Sequence, residues 1–285
     1  YFGMILALNN IIKIETICIT CLGGNKMQRD LGINYMTTRK NHTCYGMGVG
    51  IMVLDDAYPG FPGDVRNASA WGFPIQYEIA NGVDNYTLVW EQDKTPCRAP
   101  IVQAAKNLER MGCRAIAAEC GYFAYFQQDV AAAVDIPVFM SSLLQVPFIQ
   151  QLIGPTNAVG IICAQKRFLT DTHLEKVGID LKSNFYIAGA QDEYGCPQFD
   201  TLWDHEKRPA IPESYYDESE KDMIRITKEF IAKHPDIKAI MLECTGMQPF
   251  ARAIQRAVDL PVFSWGTLLD YAWSCISHRD YYGDI

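Results

Sequence analysis

The order of apolar and polar positions along this chain is that of strands alternating with helices. Gly46–Leu54 is a nearly unbroken apolar run, Gly-Met-Gly-Val-Gly-Ile-Met-Val-Leu, and reads as a buried strand. Tyr86–Trp90 reads as a second strand, Arg114–Glu119 as a third and Pro137–Met140 as a short fourth. Pro100–Gly112 carries apolar residues at helical spacing and stops at a glycine suited to closing a helix. The pattern then restarts. Ala158–Cys163 and Asn184–Ala188 read as strands, and Leu169–Val177 as a helix ended by Gly178. Glu218–His234 reads as a helix, and Ile237–Leu242 and Pro261–Phe263 as strands. Strands apolar at successive rather than alternate positions are buried on both faces. That predicts parallel sheets flanked by helices.

A repeat runs through this pattern. Glu119-Cys120-Gly121 is followed by Ala133-Val134-Asp135-Ile136-Pro137-Val138-Phe139. Glu243-Cys244-Thr245 is followed by Ala257-Val258-Asp259-Leu260-Pro261-Val262-Phe263. The thiols at 120 and 244 are 124 residues apart, and so is every other matched pair. Any two α/β units share apolar strands. They do not share two Glu-Cys pairs and two Val-Asp-[Ile/Leu]-Pro-Val-Phe runs at one offset, so the chain reads as a duplicated unit. The expected fold is α/β, with two pseudosymmetric domains, each a parallel sheet flanked by helices, and an active site in the cleft between them. Residues 45–142 plus 264–285 form the first domain and 143–263 the second. Residues 1–44 are expected to be an N-terminal extension outside the fold, with Met27 a candidate start.

Placement gives the two cysteines their chemistry. Each falls at the carboxyl end of a parallel strand, where ligands bind in open α/β sheets. Each precedes a helix whose free N–H groups lower a thiol's pKa and attract a carboxylate. Two units facing one another present a thiol to each side of a substrate carbon. One thiolate removes a proton, the opposite thiol returns one, and the centre inverts. The catalytic candidates are Cys120 and Cys244.

These residues resemble the aspartate/glutamate racemase superfamily, which includes glutamate, aspartate and hydantoin racemases, arylmalonate decarboxylase and maleate isomerase. The resemblance covers about residues 45–280. It rests on Glu-Cys-Gly-Tyr-Phe at 119–123, Glu-Cys-Thr-Gly-Met at 243–247 and Val-Gly-Ile-Ile-Cys-Ala at 159–164. It implies two pseudosymmetric α/β domains and proton transfer without pyridoxal phosphate or any other cofactor. The family's Cys-Asn-Thr of the first half is here Cys120-Gly121-Tyr122, while Cys-Thr of the second half is kept as Cys244-Thr245. Gln165 stands where the family's racemases carry a substrate-binding threonine. The resemblance thus implies a racemase or epimerase acting on a carbon α to the carboxylate of an amino-acid-like substrate.

Further substrate-binding candidates follow from position. They are Asp55 after the first strand, Gly121 and Tyr122, Ser141 and Ser142 after the fourth strand, Gln165 after the fifth, and Thr245 and Gly246. Asp55 has the competing role of a loop or capping aspartate, and the two serines that of capping the helix beginning near Leu143. Arg66 is either a partner for the substrate carboxylate or a surface residue. Strand alternation turns Glu119 and Glu243 away from the thiols. The polar, aromatic stretch Gln191–Asp222 is long for a connection and is expected to be a lid or a contact between copies of a homo-oligomer.

Composition removes other classes. The 285 residues are 49% hydrophobic and 20% charged, with a formal net charge of −8 and no basic run, so a nucleic-acid partner is excluded. No clean apolar stretch of about 20 residues is present for a membrane span. Ten cysteines, several inside apolar strands, read as reduced thiols of a cytoplasmic protein. Cys18-x-x-Cys21 has no second pair, and the five histidines show no metal-ligand spacing. A small-molecule carboxylate is the expected partner. Two alternatives stand: a related cysteine-dependent decarboxylase or isomerase, and a two-domain binding protein that closes on its ligand without chemistry. The second has no need of a thiol at both strand ends.

Overall fold

Val49–Leu54 is apolar throughout and forms β1, buried at all six positions, inside the first sheet. In this computed structural model residues 37–38 and 42–280 are described. Beside β1 run β2 (Ile75–Ala80), β3 (Ala115–Ala118) and β4 (Val138–Phe139), in the order β2-β1-β3-β4. The second sheet contains β5 (Ala158–Cys163), β6 (Phe185–Gly189), β7 (Ile237–Leu242) and β8 (Val262–Phe263), in the order β6-β5-β7-β8. Every pairing is parallel. The duplication is therefore visible in the strand order as well as in the residues. Both sheets lie in the unit His42–Ile285.

Parallel strands need long crossovers, usually helical; here all are helical but the first, 55–74, which holds only a short 3-10 turn. The helices are α1 (Thr95–Arg110), α2 (Gln127–Ala131), α3 (Val146–Ile153), α4 (Asp171–Lys176), α5 (Pro197–Trp203), α6 (Tyr216–Lys233) and α7 (Ala251–Val258), with α8 (Trp265–Ile276) last. β5 and β7 occupy the predicted spans residue for residue. Helix α8 follows the second sheet in sequence but packs on β1 and β3 of the first. Its Trp265 is fully buried, and its indole N–H donates to the Glu243 carbonyl (2.7 Å).

The second strand differs from expectation. Tyr86–Trp90 is one wide helical turn of the π type. Asp84 and Thr87 impose it by exchanging bonds: the Thr87 N–H donates to Asp84 Oδ1 (2.8 Å), and the Asp84 N–H to Thr87 Oγ1 (2.9 Å). The strand is Ile75–Ala80, Ile-Gln-Tyr-Glu-Ile-Ala, whose alternation suits its place at the sheet edge.

Among the described residues no helix is long and apolar enough to cross a membrane. Most of the expected extension 1–44, including Cys18 and Cys21, lies outside the described residues. Residues 42–44 are described, and the Thr43 N–H donates to the Arg110 carbonyl at the end of α1 (2.7 Å).

Candidate active site

Strands β3 and β7 each deliver a cysteine two residues past their ends. Cys120 opens the 3-10 turn Gly121–Phe126, and Cys244 opens Thr245–Phe250, the same turn 124 residues on. The backbone N–H two residues later, of Tyr122 for Cys120 and of Gly246 for Cys244, favours the thiolate of each. Both thiols are free and line one cavity. Leu54, Val89 and Ala164 supply its aliphatic wall; Tyr58, Tyr122 and Trp203 supply aromatic rings. Asn85, Gln165, Gln191 and Thr245 are its polar lining. None of these side chains carries a fixed charge. Burial raises both thiols well above their ordinary value, and the nearby Glu243 carboxyl raises them further.

The two glutamines of the lining are committed to one another and to their neighbours. Gln165 Oε1 accepts both Nη2 (2.9 Å) and Nε (3.2 Å) of Arg167. Gln165 Nε2 donates to Gln191 Oε1 (3.3 Å), and Gln191 Nε2 to Asp200 (3.0 Å). The Tyr122 hydroxyl donates to the Gln165 carbonyl (2.7 Å).

The repeated glutamates, both fully buried, have unlike surroundings. Glu119 Oε1 accepts the Leu54 N–H (2.7 Å) and Oε2 the Tyr58 hydroxyl (2.8 Å), with Arg66 Nε at 3.3 Å. Burial pushes its carboxyl up to about 7 against the Arg66 charge. Neither carboxyl oxygen of Glu243 has a hydrogen-bond partner, and burial alone pushes it up to about 8. Its carboxyl packs on Gly121, where a Cβ would lie 2.0 Å from Oε1, so only glycine admits it.

Of the sequence candidates, Cys120, Cys244, Tyr122, Gln165 and Thr245 meet at the cavity. The rest sit beside it or elsewhere. Asp55 is exposed and accepts the Gly82 N–H (2.9 Å), fixing the neighbouring turn. Ser141 caps the turn that follows by accepting the Leu143 N–H (3.3 Å). Ser142 donates to the carbonyls of Leu242 (3.0 Å) and Glu243 (3.2 Å), tying its turn to the end of β7. Gly121 underlies Glu243. Gly246 underlies Trp203, whose Cη2 would stand 2.2 Å from a Cβ there. Arg66 is neither a surface residue nor a lining one: it stacks on Tyr58 (4.0 Å) beside Glu119.

The long stretch after Gln191 contributes Gln191 and Trp203 to the cavity and closes its rim. Arg208 makes two 2.7 Å bonds to the Asp56 carboxylate and also donates to the Ala57 carbonyl (2.6 Å), joining this stretch to the loop after β1. Tyr58 of that loop meets Trp203 edge to face at 5.9 Å. Sequence reasoning did not single out Tyr58, Asn85, Val89 or Trp203, all of which lie outside the repeated segments. Among the described residues no cluster of His, Cys, Asp or Glu has the form of a metal site.

No protein-family model matches the chain. By sequence it is similar to a dimethylsulfoniopropionate lyase of Durusdinium sp. clade D, 29% identical over 225 residues, covering 75% of this chain and 70% of that protein. It is also similar to dimethylsulfoniopropionate lyase 7 of Emiliania huxleyi (strain CCMP1516), 28% identical over 228 residues, or 77% of this chain. The match spans 64% of that protein's length, just under two thirds. By structure it is similar to unliganded arylmalonate decarboxylase, with a TM-score of 0.50 and 11% identity over 82% of this chain and 94% of that one. The likeness is one of fold, two parallel sheets flanked by helices.

Proposed function

We propose that this protein is a lyase that removes a proton α to a carboxylate and expels a dimethylsulfonio group from the β carbon. The observation that carries this reading is the pair of thiols on one uncharged, aromatic-walled cavity, in a chain similar to dimethylsulfoniopropionate lyases. A thiolate, from Cys120 or Cys244, takes the α proton. The C–H electron pair becomes the Cα=Cβ bond, and the Cβ–S bond breaks with its pair going to sulfur. Dimethyl sulfide and acrylate leave, and the proton stays on the thiol until solvent takes it. Burial of this kind favours the protonated thiols. A sulfonium brings a permanent positive charge among them, which favours the thiolate when substrate is bound.

The presence of both thiols on the cavity supports a second reading, two-base racemisation or epimerisation of a carboxylate substrate. One experiment separates the two. The protein is incubated with dimethylsulfoniopropionate, and dimethyl sulfide is followed by gas chromatography. In parallel, a panel of chiral amino acids and 2-substituted acids is held in D2O and watched for α-deuterium uptake. Sulfide release lost in both Cys120→Ser and Cys244→Ser supports the lyase. Exchange with inversion and no sulfide release replaces it with the racemase.

A further inference from the structure

We propose that the rings of Trp203 and Tyr58 form a subsite for a methylated onium group, a cation that offers no hydrogen bond, and that Trp203 sets the preference for it. The inference rests on the lyase reading for its ligand class, and on the cavity itself for its selectivity.

An ammonium group entering a buried site needs hydrogen-bond acceptors for its N–H groups. The two glutamines of the wall are poorly placed to supply them, which leaves that work to Asn85 and Thr245. Both lone-pair directions of Gln165 Oε1 face the Arg167 guanidinium, and Gln191 Oε1 faces the Gln165 amide. No carboxylate lines the cavity. A trialkylated sulfonium or ammonium has no N–H to satisfy. It needs polarisable walls and negative π faces, which is the recognition that aromatic rings give to quaternary cations.

The two rings are held for that task. Trp203 is 7% exposed and lies against Gly246, where any side chain would collide with its indole. Phe199 holds it from behind, edge to face at 4.7 Å. Tyr58 crosses it at 88°, so the two rings make a corner. The outer side of Tyr58 is taken by the Arg66 guanidinium, whose charge is balanced by Glu119. The Tyr58 hydroxyl is tied to Glu119, which fixes the ring. A corner built from a fixed tyrosine and a tryptophan seated on a glycine is preorganised for a small, round cation.

The test uses two unreactive ligands of one shape. 3-(Trimethylammonio)propionate carries the cation; 4,4-dimethylpentanoate replaces nitrogen with carbon and is otherwise alike. Their affinities are measured by calorimetry on the full chain, alone and in the Trp203→Phe and Trp203→Leu variants. The wild-type protein is expected to prefer the cation by about tenfold, within the range of desolvated cation–π contacts. The ratio should fall in Trp203→Phe and approach unity in Trp203→Leu, while 4,4-dimethylpentanoate keeps its affinity in at least one of them. Equal affinity in the wild type, no binding of either ligand at millimolar concentration, or an unchanged ratio in both variants overturns the proposal. Turnover is not involved, so a protein that releases no dimethyl sulfide yet keeps the ratio fails the lyase reading alone.

Discussion

Replacing Glu243 by glutamine removes an ionisable group and keeps its shape, in a place where the carboxyl has no partner. Burial holds the folded carboxyl up at about 8, whereas an exposed glutamate in the unfolded chain titrates near 4.5. The folded state therefore keeps a proton that the unfolded chain releases. A raised pKa contributes stability that is whole below about 4.5 and is lost as pH climbs toward 8. Within that window the loss runs at about 1.4 kcal/mol per pH unit, flattening near the upper end. Between pH 5.5 and 7.5 the wild type should thus lose about 2.5 kcal/mol through this residue. Glu243→Gln has no such slope. Glu119 and Asp64 are also raised, to about 7 and about 6, but are common to both proteins and largely cancel in the difference. Urea unfolding of both proteins at pH 5.5, 6.5 and 7.5 measures it. The variant should gain on the wild type steadily as pH rises. A difference that stays flat across the range would mean Glu243 is ionised or partnered in the folded protein, and the reasoning from burial would be wrong.

Three further outcomes are expected. Cys120→Ser and Cys244→Ser should each lower turnover by at least about 100-fold, as loss of a positioned acid or base does, with circular dichroism unchanged; a variant of full activity removes that thiol from the mechanism. Gly121→Ala forces a methyl against the Glu243 carboxyl and should cost about 1–3 kcal/mol, with much of that loss cancelled in the double variant with Glu243→Ala; additive losses in the cycle would place the strain elsewhere. Arg208→Ala should release the rim, seen as faster tryptic cleavage after Lys207 and a higher KM with a smaller change in kcat. Unaltered proteolysis and KM would show that the rim does not depend on this ion pair.

The sheets were legible in the sequence where burial is complete. β5 and β7 are apolar at nearly every position and could be nothing else in a parallel sheet. Ile75–Ala80 alternates as an edge strand does, but Tyr86–Trp90 is the denser run of apolar and aromatic residues. Asp84 and Thr87, three apart, were the signal that this run turns instead. At the site, the repeat exposed the thiols and their immediate neighbours, since duplication preserves what both halves need. It could not expose Tyr58 or Trp203. Their contribution depends on which loops meet over the cleft, and no local spacing encodes that. Gln165 was found because it follows a strand end, and Ser141 and Ser142 for the same reason, yet the serines spend their hydroxyls on backbone.

The link from β6 to α6 is nearly twice as long as its counterpart from β2 to α1. The added chain is what folds into α5 and carries Trp203. On the function and subsite proposed above, reaction and recognition are encoded on separable tracts. The duplicated tract keeps two thiols in register, and altering it disturbs both halves of the chemistry at once. Past Ala190 and Gln191, whose N–H groups still bond to the end of β5, the lengthened link pairs with no strand. Descent from one ancestral half would then retain a common proton-handling core while successive versions of this single link recruit new substrates. For an engineer, grafting that link from one relative onto another is the smallest change that should carry substrate choice with it.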